Sequence, residues 1–221
     1  MLITCAQLLK TYSSEGQTLK AVDTVNLDIE KGDFVTILGH SGSGKTTLLS
    51  LIGGLTRPDS GTVHIDGIDN WQQADSDLAD LRNRKIGFIF QFASLIPTLT
   101  VMENVLLPLS FSKSPEGDRQ YAKELLKRVG LADRSHTLPG QLSGGQQRRV
   151  AIARSFINRP DIILADEPTG DLDEVTENDI LALFREFNQD GVTFVVVTHN
   201  RDLAETQESP RVFNMVQGVL S

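Results

Sequence analysis

Cysteine is nearly missing from this sequence, because Cys5 is the one thiol in 221 residues. A single cysteine excludes an internal disulfide and any metal site built from several thiolates. Since Cys5 lies in an apolar N-terminal run, we expect it to pack as a small hydrophobic side chain.

Long apolar runs are missing too. No stretch reaches the roughly 18 consecutive apolar residues by which a membrane-spanning helix is recognised. Residues 1–10 lack the basic region and the small-residue cleavage site of a signal peptide. We therefore expect neither a membrane span nor a signal peptide, and we expect the chain to be cytoplasmic.

Positive charge is in deficit, with 21 Lys and Arg against 29 Asp and Glu and a formal net charge of −8. Proteins that bind nucleic acid present a basic face to the phosphate backbone. The acidic balance therefore argues against general nucleic-acid binding, although it leaves room for a local basic patch. The sequence has no internal repeat and no low-complexity linker, and its length suffices for one large core or a core with a subdomain.

The distribution of apolar residues predicts an α/β chain. Residues 2–9 and 25–29 are typical of an antiparallel sheet, with residues 11–16 as a polar connection. Residues 92–158 are broken by prolines and carry helical faces, with a helix start at residues 114–116, and we interpret them as a helical subdomain inserted into an α/β core. Apolar runs predict core strands at residues 34–38, 86–90, 161–166 and 193–197.

The strongest chemical signal is a glycine-rich stretch between a strand-like run at residues 34–38 and a helix-like run at residues 48–55. It completes the pattern G-x-x-x-x-G-K-[ST], which about one chain of this length in a hundred would match by accident. Glycines let backbone N–H groups approach an anion, and the helix start adds unpaired N–H groups and a positive dipole end. Lys45 would supply a mobile charge for the outer phosphates, and Thr46 a hydroxyl ligand for Mg²⁺. The residues of this phosphate loop are Gly39, His40, Ser41, Gly42, Ser43, Gly44, Lys45, Thr46 and Thr47.

Two acidic residues end the apolar run at residues 161–166. A phosphate loop leaves Mg²⁺ short of ligands, and Asp166 at the end of a neighbouring strand can supply one. Glu167 then lies where it could polarise an attacking water. The alternative is a strand-end Asp that only caps a turn before Pro168, but the phosphate loop favours the catalytic interpretation.

A second glycine-rich loop occurs at residues 142–146, with the sequence LSGGQ. Ser143 can cap the following helix, and Gly144 and Gly145 leave backbone N–H groups open to an anion. Most Ser-Gly-Gly runs are plain loops before a helix, so this pattern alone predicts a second phosphate-type site only weakly.

Taken in chain order, these motifs resemble those of the ATP-binding cassette (ABC) ATPases. The resemblance covers nearly the whole chain, and it implies a P-loop NTPase fold with a mostly parallel core sheet, an N-terminal antiparallel β subdomain and an inserted α-helical subdomain. It implies one domain over residues 1–221, with the α/β core in 1–91 and 159–221 and the helical subdomain in 92–158. The features that carry it are the phosphate loop, Gln91, residues 142–146, Asp166, Glu167, Asp173 and His199.

The resemblance implies ATP and Mg²⁺ as cofactors and ATP hydrolysis as the reaction. Glu167 matches the general base of the family, and His199 matches the switch histidine on the γ-phosphate, with Lys45 on the same phosphates. Gln91 matches the start of a loop that senses nucleotide near Mg²⁺ and touches a membrane partner, so the implied metal residues are Thr46, Gln91 and Asp166. Tyr12 matches the aromatic side chain that stacks on adenine, although a tyrosine at a strand end is usually only packed.

The second loop implies a dimer. In the family, residues matching Ser143, Gly144, Gly145 and Gln146 contact the γ-phosphate bound by the other subunit of a head-to-tail pair, and Asp173 matches the dimer-contact loop. Because both halves of this composite site occur in one chain, we expect a homodimer with two active sites.

A narrower resemblance is to the subgroup that contains the lipoprotein-release, macrolide-export and cell-division ATPases. It rests on residues 88–91, 95–100, 103–105, 107–109 and 165–170. It implies an integral membrane partner with few spans, and a peripheral location on the cytoplasmic face of the plasma (inner) membrane. Two positions depart from the subgroup. Asp171 stands where those relatives mostly have Asn, and Asn200 stands where Asp is common.

Two alternatives belong to other functional classes. A soluble ABC-type ATPase acting on nucleic acid or the ribosome is disfavoured, because the chain has one cassette, no sustained heptads and an acidic balance. A scaffold that binds ATP without turnover is disfavoured by the presence of Gln91, Asp166, Glu167 and His199, unless a membrane partner is needed to switch activity on.

Overall fold

A computed structural model describes residues 1–14, 17–113, 115, 117–170, 172–200 and 211–221. Within these ranges the chain forms strands in two sheets, with α-helices packed on the second sheet. The strands are β1 (Ile3–Ser14), β2 (Gln17–Ile29), β3 (Phe34–Leu38), β4 (Ser60–Ile65), β5 (Ile68–Asp69), β6 (Ile86–Ile89), β7 (Ile162–Asp166), β8 (Thr193–Thr198), β9 (Arg211–Val216) and β10 (Val219–Leu220). The helices are α1 (Lys45–Ile52), α2 (Asp75–Lys85), α3 (Val101–Leu106), α4 (Arg119–Arg128), α5 (Gly144–Phe156) and α6 (Glu174–Gln189), with short 3₁₀ turns at Leu107–Phe111, Ala132–Arg134 and Pro139–Gln141.

The first sheet is antiparallel, with the strand order β2-β1-β4-β5. The second sheet has the order β10-β9-β3-β8-β7-β6, and all its neighbours are parallel except the β9–β10 pair. The predicted antiparallel N-terminal part and mostly parallel core sheet are therefore confirmed.

The parallel sheet has a hydrophobic cluster on each face, because successive side chains of a strand point to opposite faces. On β8, Phe194 and Val196 belong to a cluster shared with α3, α4, α5 and α6. Val195 and Val197 belong to a cluster shared with α1 and the antiparallel sheet. This burial on both faces explains why the central strands are continuous apolar runs.

Three local predictions are wrong. Thr11 to Ser14 continue β1 rather than forming a loop, because Tyr12 pairs with Leu19 across an antiparallel sheet whose polar side chains face water. The rest of the predicted connection, residues 15 and 16, lies outside the described residues. The helix expected from residues 114–116 begins at Arg119, where the Asp118 carboxylate accepts from Tyr121 N at 2.7 Å; residues 114 and 116 also lie outside the described ranges. The helix after the phosphate loop ends at Ile52 rather than near Leu55, which is exposed.

In the part of the chain that the structure describes, no helix is long and apolar enough to cross a bilayer.

Candidate functional site: a phosphate-binding cleft

A cleft of about 860 Å³ opens at the carboxyl ends of β3, β7 and β8. Parallel α/β sheets bind ligands at this edge, because the loops that follow the strands converge there. The described residues that line the cleft are Tyr12, Leu19, Ala21, His40 to Thr47, Gln91, Asp166, Glu167, Thr169, Gly170, Leu172, Glu177, Thr198, His199 and Asn200. Most of the residues predicted from sequence motifs are thus brought together in one place.

The phosphate loop needs glycine because it curls tightly against its neighbours. Gly44 has a φ of 106°, and a Cβ there would lie 1.9 Å from the carbonyl oxygen of Ala21. A Cβ on Gly39 would lie 2.5 Å from both Met215 O and Ser43 Oγ. The hydroxyl oxygen of Ser43 is buried and has no hydrogen-bond partner among the described residues, so it is free to contact a bound anion. A glycine cradle with an unpaired buried hydroxyl fits a phosphate group.

Lys45 lies at the start of α1 and is buried against this loop. Its ammonium donates to the carbonyl oxygens of Gly39 at 2.7 Å and His40 at 3.1 Å. The same Nζ is 3.8 Å from Glu167 Oε1. The side chain therefore holds a positive charge between the loop and the acidic edge of the cleft.

Asp166 faces the start of α1 across the sheet edge. The hydroxyl of Thr46 donates to Asp166 Oδ1 at 3.2 Å. Burial raises the pKa of Asp166, the charge of Glu167 raises it further, and the hydrogen bond from Thr46 opposes both effects. A hydroxyl beside a carboxylate is a pair of hard oxygen donors, which suits Mg²⁺ whose other ligands are phosphate oxygens and water. Within the described ranges no group of three or more His, Cys, Asp and Glu side chains could hold a metal ion.

Glu167 follows Asp166 in a left-handed conformation, with a φ of 45°. Such strain in a residue other than glycine costs roughly 1–3 kcal/mol and is common at functional sites. The backbone N–H of Glu167 donates to Val197 O at 2.9 Å, which holds the turn against β8. The strained turn thereby directs the carboxylate to the end of the neighbouring strand.

One oxygen of Glu167 receives several contacts from the end of β8. Its Oε2 accepts from the Thr198 hydroxyl at 3.0 Å and from the His199 backbone N–H at 3.3 Å, and it lies 3.0 Å from His199 Nδ1. The other oxygen, Oε1, remains beside Lys45. These contacts fix the orientation of the carboxylate, and Glu167 lies at the wall of the cleft.

Tyr12 and Gln91 line the cleft at its margins. The Tyr12 ring is 47% exposed, with the Lys10 ammonium 5.8 Å from its centroid, so the ring is open to a stacking partner. The side chain of Gln91 is exposed, and the backbone carbonyl oxygen of Gln91 accepts from the Arg148 guanidinium.

The second glycine-rich loop lies outside the cleft. Ser143 caps α5, because its hydroxyl accepts from Gln146 N at 3.2 Å while Gln146 Oε1 accepts from Ser143 N at 3.0 Å. Gly144 is exposed, and Gly145 lies against α6. A Cβ added at position 145 would lie 2.9 Å from Thr176 Cγ2. None of these residues is among those lining the cleft.

Asp173 caps the next helix, α6, with its carboxylate accepting from Thr176 N at 3.0 Å and from the Thr176 hydroxyl at 2.8 Å. These hydrogen bonds hold the pKa of Asp173 below its ordinary value. The residue is exposed and is absent from the lining of the cleft. Asp171, one of the two departures from the subgroup, lies outside the described residues.

Four polar residues of the cleft escaped the sequence analysis as site residues: Thr169, Glu177, Thr198 and Asn200. Thr198 ends β8 directly before His199, so its position at the carboxyl edge was a usable signal. Glu177 gave none, because only the packing of α6 brings it beside Thr169 and Asn200.

Comparison with known proteins agrees with this geometry. The family described as "ABC transporter" matches residues 22–170. The chain is 44% identical over 218 residues to the macrolide export ATP-binding/permease protein MacB of Rhodopirellula baltica. This match covers 97% of this chain but only 32% of that protein. It is 42% identical over 221 residues to the lipoprotein-releasing system ATP-binding protein LolD of Idiomarina loihiensis, which it covers to 96%.

A solved structure has the same fold. It is the dimeric, post-hydrolysis state of the ATP-binding cassette MJ0796, bound to ADP and Pi, from a protein of Methanocaldococcus jannaschii. The match has a TM-score of 0.90 and 42% identity, and it covers 99% of this chain and 97% of that one. The chain therefore belongs to the ABC transporter family, as an ATP-binding cassette that hydrolyses ATP.

Proposed function

We propose that this cassette works as a homodimer that binds two ATP head to tail and drives an integral membrane partner. Closing of the pair on ATP and reopening after hydrolysis would power export or release of a substrate, or mechanical work across the membrane. Two relatives support this proposal, since the name of one joins an ATP-binding part to a permease for macrolide export and the name of the other gives the release of lipoproteins.

Residue roles follow from the chemistry of the cleft. The phosphate loop and Lys45 bind the phosphates, and the Tyr12 ring stacks on the adenine. Thr46, Asp166 and Gln91 would hold Mg²⁺, which when bound would neutralise phosphate charge as hydrolysis proceeds.

Glu167 acts as the general base, because its carboxylate is held in a fixed orientation at the cleft wall. It takes the proton of the attacking water, and His199 supports the γ-phosphate beside it. Both side chains extend from strand ends, which gives the reacting geometry a rigid base.

The observation that carries the dimer is the position of residues 143–146 outside the cleft of their own chain. A capped helix start with two glycines offers backbone N–H groups to an anion. In a head-to-tail pair these groups would complete the partner's phosphate site, with Asp173 at the contact between subunits.

We further propose that residues 92–158 form the helical subdomain of a single domain that spans residues 1–221, and that the loop starting at Gln91 passes closure to the membrane partner. The partner has few spans, as in the subgroup of lipoprotein-release and macrolide-export ATPases. The cassette then lies peripherally on the cytoplasmic face of the plasma (inner) membrane, and no nucleic acid takes part. Purifying the native complex and counting the spans of the co-purifying integral protein tests this assignment; a soluble nucleic-acid or ribosomal partner would contradict it.

Ser143→Ala tests the composite site. We expect MgATP affinity to stay unchanged, because Ser143 does not line its own cleft, while ATP hydrolysis and ATP-driven dimer formation fall. The matched control is Thr100→Ala, since Thr100 caps α3 with the same reciprocal pair of hydrogen bonds, and either change costs about 1 kcal/mol of stability. Equal hydrolysis by the two variants, or a loss of MgATP affinity specific to Ser143→Ala, would contradict the dimer.

A further inference from the structure

Glu177 lies on the first turn of α6 and reaches into the phosphate cleft. Its Oε1 accepts two hydrogen bonds, from the Thr169 hydroxyl at 2.9 Å and from Asn200 Nδ2 at 2.9 Å. Thr169 belongs to the loop after β7 and Asn200 to the loop after β8. One carboxylate oxygen therefore joins the two loops that carry Glu167 and His199.

A short chain of hydrogen bonds leads from this junction to the proposed base. The Asn200 backbone N–H donates to the Thr198 hydroxyl oxygen at 3.1 Å, and that hydroxyl donates to Glu167 Oε2 at 3.0 Å. A threonine hydroxyl has one donor and can accept as well, so its single hydrogen is directed to Glu167 when Asn200 occupies the acceptor side. Thr169 and Thr198 are both buried, which keeps these bonds from competing with water.

We propose that Glu177 is a positioning residue for ATP hydrolysis, which holds Asn200 and Thr169 so that Thr198 and His199 stay aligned on Glu167. It does not touch the reacting atoms itself. The inference rests on the roles proposed above for Glu167 and His199, and it assigns a function to a cleft residue outside the sequence motifs.

The arrangement depends on the chemical types at the two positions. An ionised carboxylate only accepts, so its partner at position 200 must donate, as the Asn200 amide does. Asn200→Asp would replace that donor by a second carboxylate at hydrogen-bond distance and separate the two side chains by repulsion. Adding Glu177→Gln would restore one donor and one acceptor across the same contact.

A simpler role for Glu177 is to stabilise α6, because a negative charge in the first turn interacts favourably with the positive end of the helix dipole. Glu174 has this property too but is exposed and does not line the cleft. Glu174→Gln is therefore the matched control, because it removes the same charge from the same helix end.

The experiment measures ATPase turnover at saturating MgATP, the affinity for MgATP and the thermal midpoint in the full chain. We expect Asn200→Asp to lower kcat about tenfold or more, with affinity and thermal midpoint retained. Combining it with Glu177→Gln should bring kcat back to within about twofold of the original chain. Combining it with Glu174→Gln should bring no recovery.

The proposal is overturned if Asn200→Asp keeps full turnover, if its loss is matched by a fall in thermal midpoint, or if the effects of the paired substitutions are simply additive. Glu167→Gln, measured beside them, separates this failure from failure of the proposed base. If that variant still hydrolyses ATP fully, the role of Glu167 is wrong, whereas recovery in the pair would still couple positions 177 and 200 to turnover.

Discussion

Replacing Glu167 by Gln removes the negative charge of the proposed base while keeping the shape of the side chain. The amide oxygen of glutamine can still accept from the Thr198 hydroxyl, which now donates to Glu167 Oε2 at 3.0 Å. The turn that holds the residue, with its backbone N–H bonded to Val197 O, is not altered by the change. Glu167→Gln therefore tests the charge and proton affinity of the carboxylate more than its packing.

Two magnitudes follow from the structure. Loss of a general base slows turnover by about 10²- to 10⁴-fold, which is about 3–5 kcal/mol of transition-state stabilisation. Lys45 Nζ and Glu167 Oε1 are 3.8 Å apart, a separation at which unit charges attract by about 4 kcal/mol for an effective dielectric constant near 20. Removing the carboxylate frees the ammonium for phosphate, so we expect MgATP to bind at least as tightly as before.

The assays are steady-state phosphate release, equilibrium titration with MgATP and size analysis of the protein with and without MgATP. We expect turnover to fall by the stated factor, affinity to hold or rise, and a closed dimer to accumulate with ATP. Glu174→Gln serves as the control, because it removes one exposed charge away from the cleft. Turnover within the range of that control, or weaker MgATP binding, would contradict the role of Glu167 as the base.

Two further predictions concern the phosphate loop and Asp59, the residue that directly precedes β4. Lys45→Ala should weaken MgATP binding by about a hundredfold or more in an equilibrium titration, and unchanged affinity would contradict the phosphate role. Asp59 accepts from Lys10 and from both the N–H and the hydroxyl of Thr11, contacts that lower its pKa to about 2. A carboxylate with a lowered pKa stabilises the folded state at any pH above its ordinary pKa near 4. Asp59→Asn should therefore be less stable than the original chain in urea at pH 7, and this difference in stability should fade as the pH falls through about 2. A difference in stability that does not depend on pH would contradict this prediction.

The central strands of the parallel sheet were predictable because they are buried on both faces. Phe34 to Leu38 has the same bounds in the sequence prediction and in β3, and β7 and β8 differ from their predicted ranges by one residue at an end. The end of β1 was not predictable in this way, since Tyr12 and Ser13 are exposed and polar strands on an open sheet resemble loops.

Some parts of the candidate site were predictable from local sequence, and others were not. The sequence could point to the phosphate loop, Asp166 and Glu167 as candidates, because local chemistry imposes glycine, lysine and acid at fixed spacing after a buried strand, and the structure brings them together in one cleft. The link from Glu177 through Asn200 to Thr198 could not, because it joins residues that are distant in sequence and meet only when α6 packs on the sheet. The partner-site role of Ser143 stays a prediction, since it concerns a second copy of the chain.

The charge of the cleft explains how an acidic protein can bind a polyanion. Among the described lining residues, Asp166, Glu167 and Glu177 oppose one lysine, Lys45. The N–H groups at the start of α1 add only about half an elementary charge, so the wall remains negative where the phosphates must bind. A divalent cation held by Thr46 and Asp166, as proposed above, would reverse that balance locally, and Mg²⁺ would then take part in nucleotide recognition as well as in hydrolysis. On that proposal the net charge of −8 carries no penalty for function, because recognition would depend on backbone N–H groups, one lysine and the metal rather than on a basic surface.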